Sequence, residues 1–498
     1  MTLIPVSNTL TLPGEVDDEG LIVAWSLENV HPRRPIGFSF GKTEEKTDVI
    51  HPILMEREGH LMTIAPTGAG KGTGCIVPAL LRFEGPVIVI DPKGENALVT
   101  VRRRRDMGQA VAVIDPMGVT SLPSDSLNPL DILDPDSPTL VDDAMSIVAA
   151  LVPSDSGSDT SDGGYWRERG GTFVLGVLLH VLSDLPPSQR HLETVRALVN
   201  QAVSELGVYS AVAEQRVPPT ELAGTVLAAL EASRNAEARN IGRMLRIGAI
   251  TTLGGILSFS QNLVDVVRSG MIAQSLRSTS FDLTAVQRGD PLSIYLILPP
   301  HMLDSHGRLL RLWVHTLLTL ISGRIGQPAK STLFILDEAA QLGAFDDLRR
   351  AITLMRGYGL QTWSFWQDPS QLQNLYPRDW QTMVNNCRAV QCFGANTMLA
   401  AESMSNLVGF PSPGQLLELE PGEMLLQLSG DAPVIARLPN YREDPVFAGM
   451  FDANPLYSQD GPVERPRGVN RLFTRQPVEE AARVEAPSEV LKRLRKSS

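Results

Sequence analysis

One stretch of the sequence reads Ala65-Pro66-Thr67-Gly68-Ala69-Gly70-Lys71-Gly72-Thr73-Gly74. Glycines let a backbone curl so that successive N–H groups converge, and a helix that starts there adds its positive end, which together make an anion site. A lysine at the end of such a loop reaches the outer phosphates of a nucleotide. The run departs twice from the general pattern G-x-x-x-x-G-K-[ST]: Ala65 replaces the first glycine, and Gly72 replaces the hydroxyl that meets the metal. Thr73 is the next hydroxyl, but one helical step turns it about 100° away. A tight strand-to-helix connection with no ligand is the plainer reading of the same glycines.

A second constellation lies far downstream. Ser331-Thr332-Leu333-Phe334-Ile335-Leu336-Asp337-Glu338 is an apolar run that ends in two carboxylates. Asp337 suits the shell of a magnesium ion and Glu338 the polarisation of an attacking water; helix capping by the same pair is the structural alternative. Gln367 closes the next apolar run and suits the sensing of a terminal phosphate, or a simple turn. Arg356, in Met355-Arg356-Gly357-Tyr358-Gly359, suits a finger inserted into a neighbouring subunit's site, or a solvated loop. Asp91, Lys93 and Glu95 follow another apolar run, and Arg102–Arg105 is a run of four arginines that reads as a nucleic-acid patch or as an exposed helix end.

The elements that must position these residues are legible as short apolar runs: Leu61–Ile64, Val87–Ile90, Val111–Ile114, Ile294–Leu298, Leu333–Leu336, Gln361–Trp366 and Ala389–Phe393. Continuous four-residue runs separated by helical stretches predict a parallel sheet covered on both faces. Met424–Leu428 and Val434–Leu438 predict a hairpin. Between them and the first strands the texture turns helical, with candidate helices Trp166–Leu182, Glu193–Leu206 and Glu221–Ala232 and a polar loop at Ser154–Gly164. The expected division is a β-containing segment at 1–59, a nucleotide-binding α/β domain at 60–124 and 281–455, an inserted all-α domain at 125–280, and a largely disordered tail at 456–498.

Composition bounds the rest. The 498 residues are 43% hydrophobic and 20% charged, an ordinary globular balance, and the formal net charge of −12 confines any nucleic-acid contact to local basic patches. Aromatics at 5% argue against a surface built wholly on base stacking. Cys75, Cys387 and Cys392 form no CxxC pair and read as reduced thiols. The histidines show no ligand spacing. No apolar run reaches the length of a membrane span and no signal peptide is visible, so a soluble, cytoplasmic chain is expected.

With these phrases in hand, the sequence resembles the coupling ATPases of type IV secretion and conjugation, the TraG/TraD type. The resemblance rests on P-T-x-x-G-K-G-x-G at Pro66–Gly74, D-P-K-G-E at Asp91–Glu95, N-P-L-D at Asn128–Asp131, L-D-E-[AF]-A-x-L-G at Leu336–Gly343, and G-Y-G-L-Q…Q at Gly357–Gln367. It runs from roughly Leu61 to Arg442.

The resemblance implies a RecA-like P-loop NTPase domain with an all-α insertion, and ATP and Mg2+ as ligands. The phosphate loop would be Pro66, Thr67, Gly68, Ala69, Gly70, Lys71, Gly72 and Thr73. Lys71, Glu338, Arg356 and Gln367 would be the phosphate, water, finger and sensor residues, and Asp337 would hold the metal. It implies a homo-hexameric ring, or monomers without DNA. ATP hydrolysis in the ring would move single-stranded DNA with a relaxase, or effector proteins, towards secretion-channel components. Members of this family usually carry membrane-spanning helices before the ATPase domain, and none is seen here; recruitment by a partner to the inner face of the membrane, or work elsewhere as a soluble relative, follows as the expectation. A non-hydrolysing substrate-recognition adaptor and an FtsK/HerA-like translocase are the competing readings.

Overall fold

In a computed structural model, residues 12–16, 20–27, 50–55, 59–152, 161–213, 225–246 and 250–455 are described. The chain divides into two units, Met1–Ala453 and Asn454–Ser498. Most of the second unit, the expected disordered tail included, lies outside the described residues, as does 154–160 of the expected polar loop; its last residues, 161–164, belong instead to the helix Ser161–Asp184.

Unit 1 is built on an 11-stranded sheet. In chain order the strands are β1 (Leu21–Ser26), β2 (Pro52–Met55), β3 (His60–Ile64), β4 (Val87–Ile90), β5 (Ala110–Ile114), β6 (Leu292–Leu296), β7 (Thr332–Leu336), β8 (Leu360–Trp366), β9 (Cys387–Cys392), β10 (Glu423–Leu428) and β11 (Val434–Arg437). Their spatial order is β2-β1-β11-β10-β9-β3-β8-β7-β4-β6-β5. From β9 to β5 all neighbours are parallel, whereas β10, β11, β1 and β2 extend the sheet by antiparallel pairing. The expected hairpin is β10–β11, and the N-terminal β segment docks on it through Trp25 opposite Arg437.

The central strands read as unbroken apolar runs because both faces are covered. Ile88, Ile90, Phe334 and Leu336 point into one core, and Val87, Val89, Leu333 and Ile335 into the other. This is the two-residue alternation of a strand with no solvent side. Each such side chain stabilises the fold by roughly 1.5–3 kcal/mol relative to exposure. The second core is closed by the helices Val77–Arg82 and Glu95–Asp106, through Ala79, Leu80, Ala97 and Val101.

The first core continues without a break into the helical residues between β5 and β6, taking in Phe173, Leu178, Val195, Ile241 and Leu257. Helices Leu140–Leu151, Ser161–Asp184, Leu192–Ala213, Thr225–Ala232, Ala236–Arg246 and Ile250–Val264 occupy this interval. The Asn128–Asp131 phrase ties its two ends together. Asp131 Oδ2 accepts from Thr279 N and Oγ1, and Asn128 Nδ2 donates to Asp131 Oδ1 and to the Arg190 carbonyl. Ser280 Oγ donates to Asp125 Oδ1 beside this knot.

The arginine run is largely structural, which corrects its reading as a nucleic-acid patch. Arg104 is fully buried and donates to the carbonyls of Leu80, Phe83 and Gly85 and to Ser293 Oγ. Arg103 donates to the Leu81 carbonyl, and Arg102 pairs with Asp452 and Asp106. Four residues in a row spread round a helix, so they cannot share one exposed face.

Candidate nucleotide site

A parallel sheet brings the C-terminal ends of its strands to one edge, and ligands bind there at the point where strand order reverses. Here that point is β3, whose chain leaves towards β4 across β8 and β7. Ala65 continues the ladder past the end of β3: its N–H donates to the Trp366 carbonyl at 2.8 Å, and it is fully buried. Ala65 has no positive φ, so this position does not require the first glycine of the general pattern. The turn comes at Gly68 (φ 82°) and Gly70 (φ 101°), in a region that side chains disfavour.

Lys71 then opens the helix, whose first turn, Gly72–Ile76, is a wide π turn rather than the α turn expected from the pattern. Wide turns of this kind recur at functional sites. A Cβ on Gly72 would meet nothing within 4 Å, so crowding does not explain the missing hydroxyl.

β7 carries Asp337 and Glu338 to the same edge, but it does not neighbour β3. β8 runs between them and ends one residue before Gln367. This strand order explains the central contact of the site. Gln367 Nε2 donates to Glu338 Oε2 at 2.7 Å, and Lys71 Nζ lies 3.7 Å from the same oxygen. Glu338 is the one non-glycine with positive φ (73°) among the described residues. A left-handed glutamate costs about 1–2 kcal/mol, and such strain persists where surrounding structure enforces it, often at functional positions.

Burial pushes the Asp337 carboxyl up to about 6; Lys71 and Lys93 pull it down, while Glu338 and Glu95 add to the rise. Asp91 ends the adjacent strand β4 and is fully buried. Burial pushes it up to about 7, against its hydrogen bonds from Ala97 N and Asn96. Asp91 thus ties the end of β4 to the first turn of the helix Glu95–Asp106. Lys93 is exposed, and its charge acts on Asp337.

Lys71, Asp337, Glu338 and Gln367 therefore converge, and Arg356 does not. It is exposed in the 3-10 turn Met355–Tyr358 before β8, at the opposite edge of the sheet. The seven residues of β8 put it roughly 20 Å from Gln367. The Arg324 guanidinium donates to the Tyr358 and Gly359 carbonyls, and Gln327 donates to the Gly357 carbonyl. These bonds gather the exposed side chains of Ile325, Leu354 and Tyr358 near Arg356.

Two further residues shape the loop without any motif to announce them. Gly394, just after β9, packs so closely that a Cβ there would stand 2.7 Å from Ala69 Cβ and 3.2 Å from Pro66 Cδ. Behind the loop, Gln391 of β9 accepts from Thr63 Oγ1 at 2.6 Å, and Trp363 Nε1 donates to Thr63 Oγ1. Cys75, on the loop's helix, has its thiol 3.6 Å from Gln391 Oε1. Three neighbouring strands and the loop helix are locked through one buried amide. The three cysteines are free and buried.

Comparison with known proteins agrees with this arrangement. The sequence profile of the family described as Type IV secretory system Conjugative DNA transfer matches residues 25–411. The chain is 23% identical over 397 residues to the conjugal transfer protein TraG of Escherichia coli, covering 76% of this chain and 59% of that protein. It is 24% identical over 359 residues to the type IV secretion system-coupling protein VirD4 of Bartonella quintana (strain Toulouse), covering 70% of this chain and 53% of that one. The chain thus spans a little over half the length of these curated relatives. Among solved structures, plasmid coupling protein TrwB in complex with ADP and Mg2+ superposes with a TM-score of 0.55 at 15% identity, covering 76% of this chain and 85% of that chain. The fold is accordingly a RecA-like α/β P-loop NTPase domain with a helical domain.

Proposed function

The chain belongs to the type IV secretory system conjugative DNA transfer family, and from that premise we propose that it is an ATP-driven coupling motor. It moves single-stranded DNA with a bound relaxase, or effector proteins, towards the channel components of a secretion system. The observation that carries this reading is the convergence of Lys71 and Gln367 on one oxygen of Glu338 beside Asp337.

The residues present fit magnesium-ATP. Pro66–Thr73 offers a backbone cradle with two positive-φ glycines, and Lys71 stands at its end. Asp337 is the carboxylate that would hold the magnesium. Magnesium-ATP, when bound, supplies the reactive phosphorus and neutralises the charge around it. Lys71 exchanges its contact with Glu338 for the outer phosphates. Glu338 then keeps only Gln367 on Oε2, and its other oxygen, Oε1, orients a water and accepts the proton. Gln367 bridges the strand of the acidic pair and the strand of the phosphate loop, which suits it to report the state of the nucleotide.

Arg356 lies too far to serve its own site, so it serves a neighbour's. The exposed Ile325, Leu354 and Tyr358 around it suit a subunit contact, and six subunits closing a ring would give each site one such arginine. No helix among the described residues is long and apolar enough to cross a membrane.

The test is ATP turnover with and without single-stranded DNA, alongside the mass of the assembly. DNA-stimulated turnover that disappears in Lys71→Ala is expected. Stimulated turnover that survives in Lys71→Ala overturns the reading, and nucleotide binding without turnover under any stimulus favours an adaptor.

A further inference from the structure

A cleft of about 860 Å3 lies away from Lys71, between the helical residues and the turn that follows the acidic pair. Helices Ser161–Asp184 and Ile250–Val264 supply Trp166, Phe259 and Asn262 to its wall. The helix Pro300–Ser322 supplies Arg308 and Arg311, one turn apart on the same face. The floor is Gln341–Gly343, three residues beyond Glu338. A cleft of this size accommodates a ligand of several rings.

The chemistry of the lining is specific. Arg308 is half-buried, and its guanidinium is oriented by the Asn262 carbonyl at 2.8 Å. Arg311 is 6% exposed and donates to the Val152 carbonyl. Phe259 and Trp166 are half-buried in the same lining, and Gly255 admits the indole: a Cβ there would stand 2.5 Å from Trp166. The Gln341 side-chain oxygen is buried with no hydrogen-bond partner. Guanidinium groups and aromatic rings lining one cleft match a phosphate backbone that carries planar bases. An acidic peptide would engage the arginines and leave the rings unused.

We propose that this cleft is a binding site for single-stranded nucleic acid, with Arg308 and Arg311 on successive phosphates and Phe259 and Trp166 against bases, and that its occupancy is transmitted to Glu338 through Gln341–Gly343. The connection is short and stiff. Glu338 is the left-handed N-cap of the 3-10 turn Ala339–Leu342, and Gln341 N donates to the Glu338 carbonyl at 3.1 Å. A strand pressing on Gln341 therefore turns the residue whose carboxylate Lys71 and Gln367 share. The inference rests on the motor reading above and supplies it with the place where cargo touches the engine.

The test is fluorescence anisotropy of the full chain with a labelled oligodeoxythymidine of about 12 nucleotides, within the range of single-strand sites, read across salt concentrations. Arg308→Gln should weaken binding several-fold and flatten the slope of log K against log salt by about 0.7, the release expected for one single-strand phosphate contact. Phe259→Leu, which keeps an apolar side chain, should weaken binding about fivefold or more with the slope unchanged. Arg234→Gln, an exposed cation elsewhere among the helices, is the control and should change neither. All three variants should melt as the parent does.

Unchanged binding in both cleft variants, or equal competition by poly-glutamate, overturns the proposal. The anisotropy requires no turnover, so the two readings fail separately. DNA-stimulated turnover that Arg308→Gln leaves intact refutes the cleft alone, whereas cleft-dependent binding by a chain that never hydrolyses ATP refutes the motor alone.

Discussion

Gly394→Ala tests whether the phosphate loop is shaped by a residue that lies outside every nucleotide motif. Two costs act at this position. Its φ of 77° is left-handed, which costs an alanine about 1–2 kcal/mol. The new methyl would also stand 2.7 Å from Ala69 Cβ; carbon atoms settle at about 3.5–4.0 Å, so the loop must retreat by roughly 1 Å. A displacement of that size costs on the order of 100-fold when it lies at a reacting centre.

The strain is separable from the crowding, because Gly409 has nearly the same φ (69°) with nothing within 4 Å of a Cβ. Gly409→Ala should lower the melting temperature and leave nucleotide affinity alone. Gly394→Ala should lower both, with affinity measured by fluorescent-nucleotide titration in magnesium. Equal nucleotide affinity in the two variants would refute the claim that β9 sets the position of the loop.

Two further outcomes follow from buried groups. His60 is held down to about 4 by burial and by the positive charge of Arg356, and its Nδ1 accepts from Thr362 N. The folded protein therefore favours neutral His60. The stability this gives is complete above the ordinary histidine value near 6.5 and is lost as pH falls towards 4. His60→Gln should flatten unfolding free energy against pH across that window, as urea melts at several pH values would show. Arg104→Met leaves the carbonyls of Leu80 and Phe83 without their arginine donor, while Gly85 keeps Gln109, a cost of about 2 kcal/mol or more. It should lower the denaturation midpoint without changing the salt dependence of DNA binding.

Much of this site was legible because a parallel sheet sends every strand's C-terminus to one edge. Apolar runs ending in Lys71's loop, in Asp337-Glu338 and in Gln367 therefore had to meet, whatever their order. The order itself was not legible, since periodicity reports burial and not neighbours; that β8 lies between β3 and β7 is what seats Gln367 on Glu338. Ala65 looked like a defect in the motif and lies one residue past the end of β3, still bonded to Trp366. Arg102–Arg105 read as a basic patch or as an exposed helix end, but a helix points its residues in different directions. Gly394, Gln391 and the cleft at Arg308 are made by contacts between distant segments, and a single sequence carries no local sign of them. Asn128–Asp131 was recognisable as a phrase, while its work as a clasp for the ends of the helical segment appeared only with its partners, Thr279 and Arg190.

The central claim is that Glu338, poised between Lys71 and Gln367, activates the water for ATP hydrolysis. The most direct measurement is single-turnover hydrolysis by Glu338→Gln at saturating magnesium-ATP, with nucleotide affinity determined in parallel. This account predicts wild-type affinity with hydrolysis slowed on the order of 100-fold or more, the contribution of a positioned general base. Hydrolysis by Glu338→Gln within a few-fold of the wild-type rate would contradict it.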